Sequence, residues 1–147
     1  FEKRNTMVIG ASCDTNEVHF AWLNTAKDNG GIEGVTYPLL ADTTRNLAAA
    51  LDILDAEWVY NEEVNDEILE GSNVTFRATY LIDEEGKIFH ESVNDMPLGR
   101  NVNEYLRLID AYTHVQTKGE VCPANWEEGK EAMSADRNST AAYLASH

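Results

Sequence analysis

The sequence predicts an α/β domain built on a mixed sheet. Strand-like apolar runs alternate with runs of helical spacing, and an acidic glycine turn separates two strand-like runs in the manner of a hairpin. Length adds a bound, because 147 residues can bury one core and hardly two. Residues 6–12 read as a buried strand, and Asp14 or Thr15 as the cap of a helix carrying Val18, Ala21, Trp22 and Leu23. Gly30-Gly31 ends that helix. Residues 37–41 form the next strand, after which Asp42 or Thr43 caps a helix bearing Leu47, Ala50, Leu51 and Leu54. The acidic stretch 55–70 breaks the pattern. Residues 75–82 and 87–93 flank Asp83-Glu84-Glu85-Gly86, which predicts an antiparallel hairpin. The last regular element is a helix with Val102, Tyr105, Leu106, Ile109 and Tyr112 on one face, and Asn103, Glu104, Arg107 and Asp110 turned elsewhere. Beyond Lys118 the periodicity fades, and 127–147 reads as a polar arm that needs a partner surface to become ordered.

Composition excludes several functions. A formal net charge of −15 opposes a nucleic-acid partner and an anionic membrane surface, since phosphate binding needs clustered Lys and Arg. No uninterrupted apolar stretch approaches the ~20 residues that span a bilayer. No signal-like segment opens the chain, and two lone cysteines suit a reducing compartment, so the expected location is cytoplasmic. Asn73-Val74-Thr75 and Asn138-Ser139-Thr140 match the glycosylation acceptor pattern, which arises often by chance. His19, His90, His114 and His147 are scattered, and no His or Cys pair has ligand spacing, so neither metal nor cofactor is expected.

The chemistry points to Cys122. It lies in a polar, loop-like segment, Gly119-Glu120-Val121-Cys122-Pro123-Ala124-Asn125-Trp126, far from the only other cysteine, Cys13. That separation leaves no Cys-x-x-Cys pair and no zinc knuckle. Glu120, Glu127 and Glu128 oppose thiolate formation, and Lys118 is the only cation nearby in sequence. Cys122 is therefore a poor first nucleophile. It suits the part of a second thiol, which attacks a sulfur already made electrophilic as a sulfenic acid. Cys13 ends an apolar run, where the ordinary reading is a small buried side chain.

The segment around Cys122 resembles the resolving-cysteine motif of typical 2-Cys peroxiredoxins, the group that includes the alkyl hydroperoxide reductase C component. The likeness extends in order through Val8-Ile9-Gly10-Ala11-Ser12-Cys13-Asp14, His19-Phe20-Ala21-Trp22, Tyr37-Pro38-Leu39-Leu40-Ala41-Asp42, Phe76-Arg77-Ala78-Thr79-Tyr80-Leu81-Ile82-Asp83 and the run from Val93 to Arg107. The resemblance implies a thioredoxin-like fold, with residues 1–118 as the C-terminal portion of the domain and 119–147 as an arm with the resolving cysteine. The family's peroxidatic Pro-x-x-x-Thr-x-x-Cys motif does not occur here, and by resemblance it would sit upstream of Phe1. As written, the chain should not reduce peroxide.

Arg77 interrupts a strand-like apolar run, where a buried guanidinium costs several kcal/mol unless paired. The resemblance places it beside the peroxidatic sulfur, favouring thiolate and donating to peroxide oxygens; otherwise it is a strand-end arginine paired with a surface carboxylate. Arg100 opens the last helix, where its charge opposes the dipole. By resemblance it reaches the active site or orients Arg77 through a bridging carboxylate; otherwise Asp95 or Glu104 neutralises it. Arg107 reads as a surface residue, and His19, sharing a helix face with Trp22, as a packed structural one. Gly30-Gly31-Ile32-Glu33-Gly34 and Tyr143-Leu144 imperfectly match the family's over-oxidation-sensitive signature, and the acidic stretch 55–70 is longer than usual for the family.

The resemblance implies a thiol peroxidase acting on hydrogen peroxide and alkyl hydroperoxides, with Cys122, Arg77 and Arg100 as catalytic residues. Its disulfide would join two subunits and be reduced by thioredoxin or a flavoprotein disulfide reductase. The homodimers would close in fives into a ring. The alternative is a ring-forming scaffold or chaperone-like assembly with little peroxidase activity; a thioredoxin-like carrier is disfavoured because it needs two close cysteines.

Overall fold

The structure, a computed structural model, describes residues 1–146 and divides into two compact units, Thr6–Arg100 and a second made of Phe1–Asn5 with the chain from Asn101 onward. In the first unit, strand β1 (Gly10–Ser12) pairs in parallel with β2 (Leu39–Ala41). Parallel strands need a crossover, which here contains helix α1 (Asn16–Leu23). Thr15 caps α1 as expected, its hydroxyl accepting from the Val18 amide at 3.3 Å. The expected apolar face of α1 is not the buried one. Val18 and Trp22 are exposed, whereas His19 is buried with its Nε2 bonded to the Ser12 hydroxyl, and Trp22 instead donates to the Gly30 carbonyl.

The expected strand 6–12 is only partly realised: Met7 and Ile9 are exposed and ladder pairing begins at Gly10. Gly30 does not end α1, which stops at Leu23; it ends a 3-10 turn at Lys27–Asn29 in the left-handed region at φ 80°. Gly31 has a different reason to be glycine. A Cβ there would stand 1.9 Å from the Thr25 carbonyl oxygen.

Helix α2 (Asn46–Ala50) is shorter than the sequence pattern suggests, and Asp42 accepts at its start from the Leu47 and Ala48 amides. Leu54 belongs not to it but to β3 (Leu54–Asn61), which pairs antiparallel with β4 (Asp66–Thr75). The acidic stretch is thus a hairpin. Trp58, Val59 and Tyr60 register against Leu69, Ile68 and Glu67, so strand-forming pairs hold together a segment whose acidic residues obscure the period. The next hairpin matches expectation, with β5 (Arg77–Ile82) antiparallel to β6 (Ile88–Asn94). Asp83 accepts from the Glu85 and Lys87 amides, and Gly86 takes φ 83° in the turn. Pairings of mixed sense are therefore present, as three two-stranded ladders.

The second unit is organised by α3 (Val102–Lys118), capped by the Asn101 side chain and closed by Gly119 at φ 68°. Tyr105 and Ile109 of the expected stripe are buried, but Val102 is exposed. Arg4 reaches back to Asp110 through two bonds of 2.7 Å. Residue 101 onward does not end with α3: the tail adds a Val121 to Met133 bridge and helix α4 (Arg137–Ser146). His147 lies outside the described residues.

Crowding at Gly31 yields a stability test. Gly31→Ala should destabilise the protein in urea by about 1–3 kcal/mol, as overpacking does. Gly99→Ala, where nothing lies within 4 Å of the added carbon, should stay within about 0.5 kcal/mol of the parent.

Candidate functional site

Arg77 starts β5, and it is exposed rather than buried, so the desolvation cost expected from its apolar neighbours does not arise. Its Nε donates to the Met96 carbonyl at 3.0 Å. Arg100 donates through Nη2 to the carbonyl of Ala78 at 2.9 Å, which is the residue after Arg77. The segment 94–100 is further tied by Asn94, the register partner of Arg77, whose side-chain amide donates to the Gly99 carbonyl at 3.2 Å. One end of the β5–β6 ladder thus gathers both predicted arginines. Arg100 precedes the helix cap, so the dipole conflict is smaller than expected.

Neither guanidinium has a carboxylate within ion-pair distance among the described residues. The expected neutralising partner Glu104 is engaged by Arg107, and no bridging carboxylate joins Arg77 to Arg100. Each cation spends one N–H on a neutral carbonyl, leaving the others to point elsewhere. In a chain of charge −15, two arginines without carboxylate partners at one end of a ladder can stabilise an anion or a developing oxyanion.

Cys122 belongs to the other unit. Its thiol is half-buried and lies 3.7 Å from the Ala111 carbonyl of α3. Burial pushes this thiol up from its ordinary value; Arg107 opposes that, and Glu120 adds to it. The nearby cation is therefore Arg107, not Lys118. Nor is Arg107 a plain surface residue: it grips both carboxylate oxygens of Glu104 at 2.8 and 2.7 Å and donates to the Trp126 carbonyl at 3.0 Å. Sequence spacing carried a signal for this, since Glu104 and Arg107 stand three apart on a helix. Burial of Trp126, at 2% exposure, had no signal beyond its motif. Cys13 is half-buried rather than buried, and burial is the main cause of its raised value.

A second polar cluster joins β1 to α1. The Ser12 hydroxyl lies 2.8 Å from Asp14 Oδ2 and 2.7 Å from His19 Nε2, and it accepts from the Asp14 amide. A carboxylate only accepts, so the single hydroxyl hydrogen goes to Asp14 and His19 must donate from Nε2. Its Nδ1 is left as a bare lone pair, buried and without a hydrogen-bond partner. This arrangement is structural packing, as the sequence suggests.

Among the described residues no group of His, Cys, Asp and Glu could hold a metal ion, and no helix is long and apolar enough to cross a membrane. Residues 1–91 match the model of the AhpC/TSA family. The chain belongs to the AhpC/TSA family. Residues 111–146, which include Cys122, match the C-terminal domain of 1-Cys peroxiredoxin. Similar relatives include alkyl hydroperoxide reductase C of Helicobacter pylori, 40% identical over 98% of this chain and 65% of the relative, and peroxiredoxin 2 of Drosophila melanogaster, 37% identical over 98% and 67%. The chain therefore spans about two thirds of the length of the curated relatives it matches. Among solved structures, the reduced 2-Cys peroxiredoxin of Plasmodium vivax superposes with a TM-score of 0.85 at 35% identity, over 99% of this chain and 67% of that one. For this AhpC/TSA member the thioredoxin-like peroxiredoxin fold expected from sequence holds.

The raised thiol gives a pH expectation. Neutral Cys122 is the favoured form in the folded state, so its alkylation in the native protein, followed by peptide mass, should be slow near neutral pH. The rate should climb at a higher pH than for the same cysteine in urea. A native profile lying below the denatured one would contradict the stated cause.

Proposed function

We propose that the chain is part of a thiol peroxidase that reduces hydrogen peroxide and alkyl hydroperoxides, in which Arg77 and Arg100 serve the reacting oxygens and Cys122 is the resolving thiol. The observation that carries the reading is that Arg77 and Arg100 are both held at one end of the β5–β6 ladder by backbone carbonyls, with no carboxylate partner among the described residues. Family membership supports it. Residues 1–118 are then the C-terminal portion of the catalytic domain and 119–147 the arm that delivers Cys122.

In the proposed chemistry a first thiolate attacks the distal peroxide oxygen; the S–O bond forms as the O–O bond breaks. Negative charge moves onto the leaving oxygen, which departs as alcohol or water after taking a proton. Guanidinium donors aimed at that oxygen stabilise the developing charge, and their pKa keeps them protonated throughout. Neither Cys13 nor Cys122 has the Thr-x-x-Cys setting that this first thiol needs, and Cys122 is further held back by burial. Cys122 acts afterwards. Its thiol condenses with the sulfenic acid, forming an S–S bond and releasing water.

A dithiol reductant, thioredoxin or a flavoprotein disulfide reductase, returns both sulfurs to thiols, so no bound metal or organic cofactor takes part. Pairing of subunits supplies the two thiols to one another, and dimers assemble in fives into a ring. The setting is the reducing cytoplasm.

Arg77→Met in the complete natural protein should lower kcat/KM for hydrogen peroxide by about 10²–10³, the usual effect of losing one preorganised donor. Arg77→Lys should recover only part of that, because an ammonium keeps the charge but not the fork. Peroxide consumption at wild-type rate by Arg77→Met, with secondary structure intact by circular dichroism, would refute the assignment.

A further inference from the structure

One face of α3 holds the whole segment that carries Cys122. Arg107, Ala111 and His114 follow one another at spacings of four and three, so they line a single stripe, and each touches the segment. Arg107 donates to the Trp126 carbonyl at 3.0 Å, Ala111 offers its carbonyl to the Cys122 thiol at 3.7 Å, and the His114 ring meets that of Trp126 at a centroid distance of 4.9 Å. His114 Nε2 also lies 2.8 Å from Glu120, two residues before the thiol. Trp126 is the buried pin of this attachment, and its indole donates to the Lys130 carbonyl at 3.1 Å.

Arg107 differs from His114 and Ala111 in bringing a permanent positive charge to a backbone carbonyl of the segment. Glu104 grips its Nε and Nη2 in a fork, which fixes the guanidinium plane and leaves Nη1 aimed at the Trp126 carbonyl. An isolated exposed ion pair of this kind contributes little to stability. Its consequence here is geometric rather than energetic, because the fork orients the donor that ties the segment down.

We propose that Arg107 is the positioning residue of Cys122: through the Trp126 carbonyl it keeps the thiol parked against α3, and its charge favours the Cys122 thiolate while the segment is docked. The catalytic meaning of this rests on the peroxidase reading above; the electrostatics and the tether do not. Among the charges near the segment, Glu120 on the loop disfavours the thiolate, while Glu104 and Glu127 act on Arg107 itself. Arg107 is the cation that opposes burial at this sulfur. In the condensation step the Cys122 S–H bond breaks, an S–S bond forms and the sulfenic S–O bond breaks. The hydroxyl leaves as water with the thiol proton; Cys122 is oxidised and the sulfenic sulfur reduced. Arg107 acts before bond formation, by favouring deprotonated sulfur while the segment is still docked.

Charge and tether separate in a pH profile. In the reduced complete protein, alkylation of Cys122 by iodoacetamide is followed by peptide mass between pH 6 and 10; the plateau reports access and the midpoint reports thiolate stability. Arg107→Gln should move the midpoint up, lowering the thiolate fraction at pH 7, and should raise the plateau severalfold. Arg107→Lys should raise the plateau similarly while keeping the wild-type midpoint. Superimposable Gln and wild-type profiles would overturn the proposal, as would equal midpoint shifts in Gln and Lys, which would mark loosened packing rather than charge. If the Gln variant fails to fold, an unchanged plateau in Arg107→Lys overturns the tether. A wild-type Cys122 that never enters a disulfide after peroxide treatment sinks the peroxidase reading while leaving this profile decisive for Arg107.

Discussion

Burial of Trp126 against α3 is the constraint on which the candidate chemistry of the C-terminal unit depends. Removing a buried aromatic side chain of this size typically costs about 3–5 kcal/mol, far more than any exposed ion pair around it contributes. Packing therefore decides that the segment docks, and polar contacts decide how. With the indole fixed, the chain direction through residues 119–130 is set, and Cys122 has its thiol against the Ala111 carbonyl. The same burial makes the thiol a weak nucleophile at rest. A docked, protonated sulfur is a poor first nucleophile, which is why we propose Cys122 as the second thiol.

The β5–β6 ladder solves the opposite problem, which is to hold two cations at one end without neutralising them. Carboxylates are plentiful in this acidic chain. Neutral carbonyls do the holding instead: Met96 for Arg77 and Ala78 for Arg100. A carbonyl orients a guanidinium without discharging it. The pair is thus available to an anionic or charge-developing ligand, and that availability connects hairpin geometry to the proposed oxyanion chemistry.

Much of this was legible in the sequence where local chemistry is strong. The Asp83 to Gly86 turn, the Thr15 cap and the Tyr105 and Ile109 stripe follow from turn, cap and period rules. The β3–β4 hairpin was not legible, because acidic residues interleave its Trp58–Leu69 and Val59–Ile68 pairs and mask the two-residue period. The buried face of α1 was misread because a histidine, satisfied by a serine hydroxyl seven residues earlier, took the inward position usually given to an apolar residue. Motif resemblance singled out Arg77, Arg100 and Cys122 as candidates, but it gave no sign of the Arg107 contact, which is to a carbonyl nineteen residues away that spacing alone does not bring near.

If Cys122 is oxidised by a sulfenic acid formed on another sulfur, as we propose, it must enter a disulfide after peroxide treatment. After one equivalent of hydrogen peroxide is added to the complete reduced protein, non-reducing electrophoresis with peptide mass analysis should show a covalent dimer joined through Cys122, absent from Cys122→Ser. Monomer alone, with Cys122 recovered as a free thiol and the variant indistinguishable from wild type, would contradict the account.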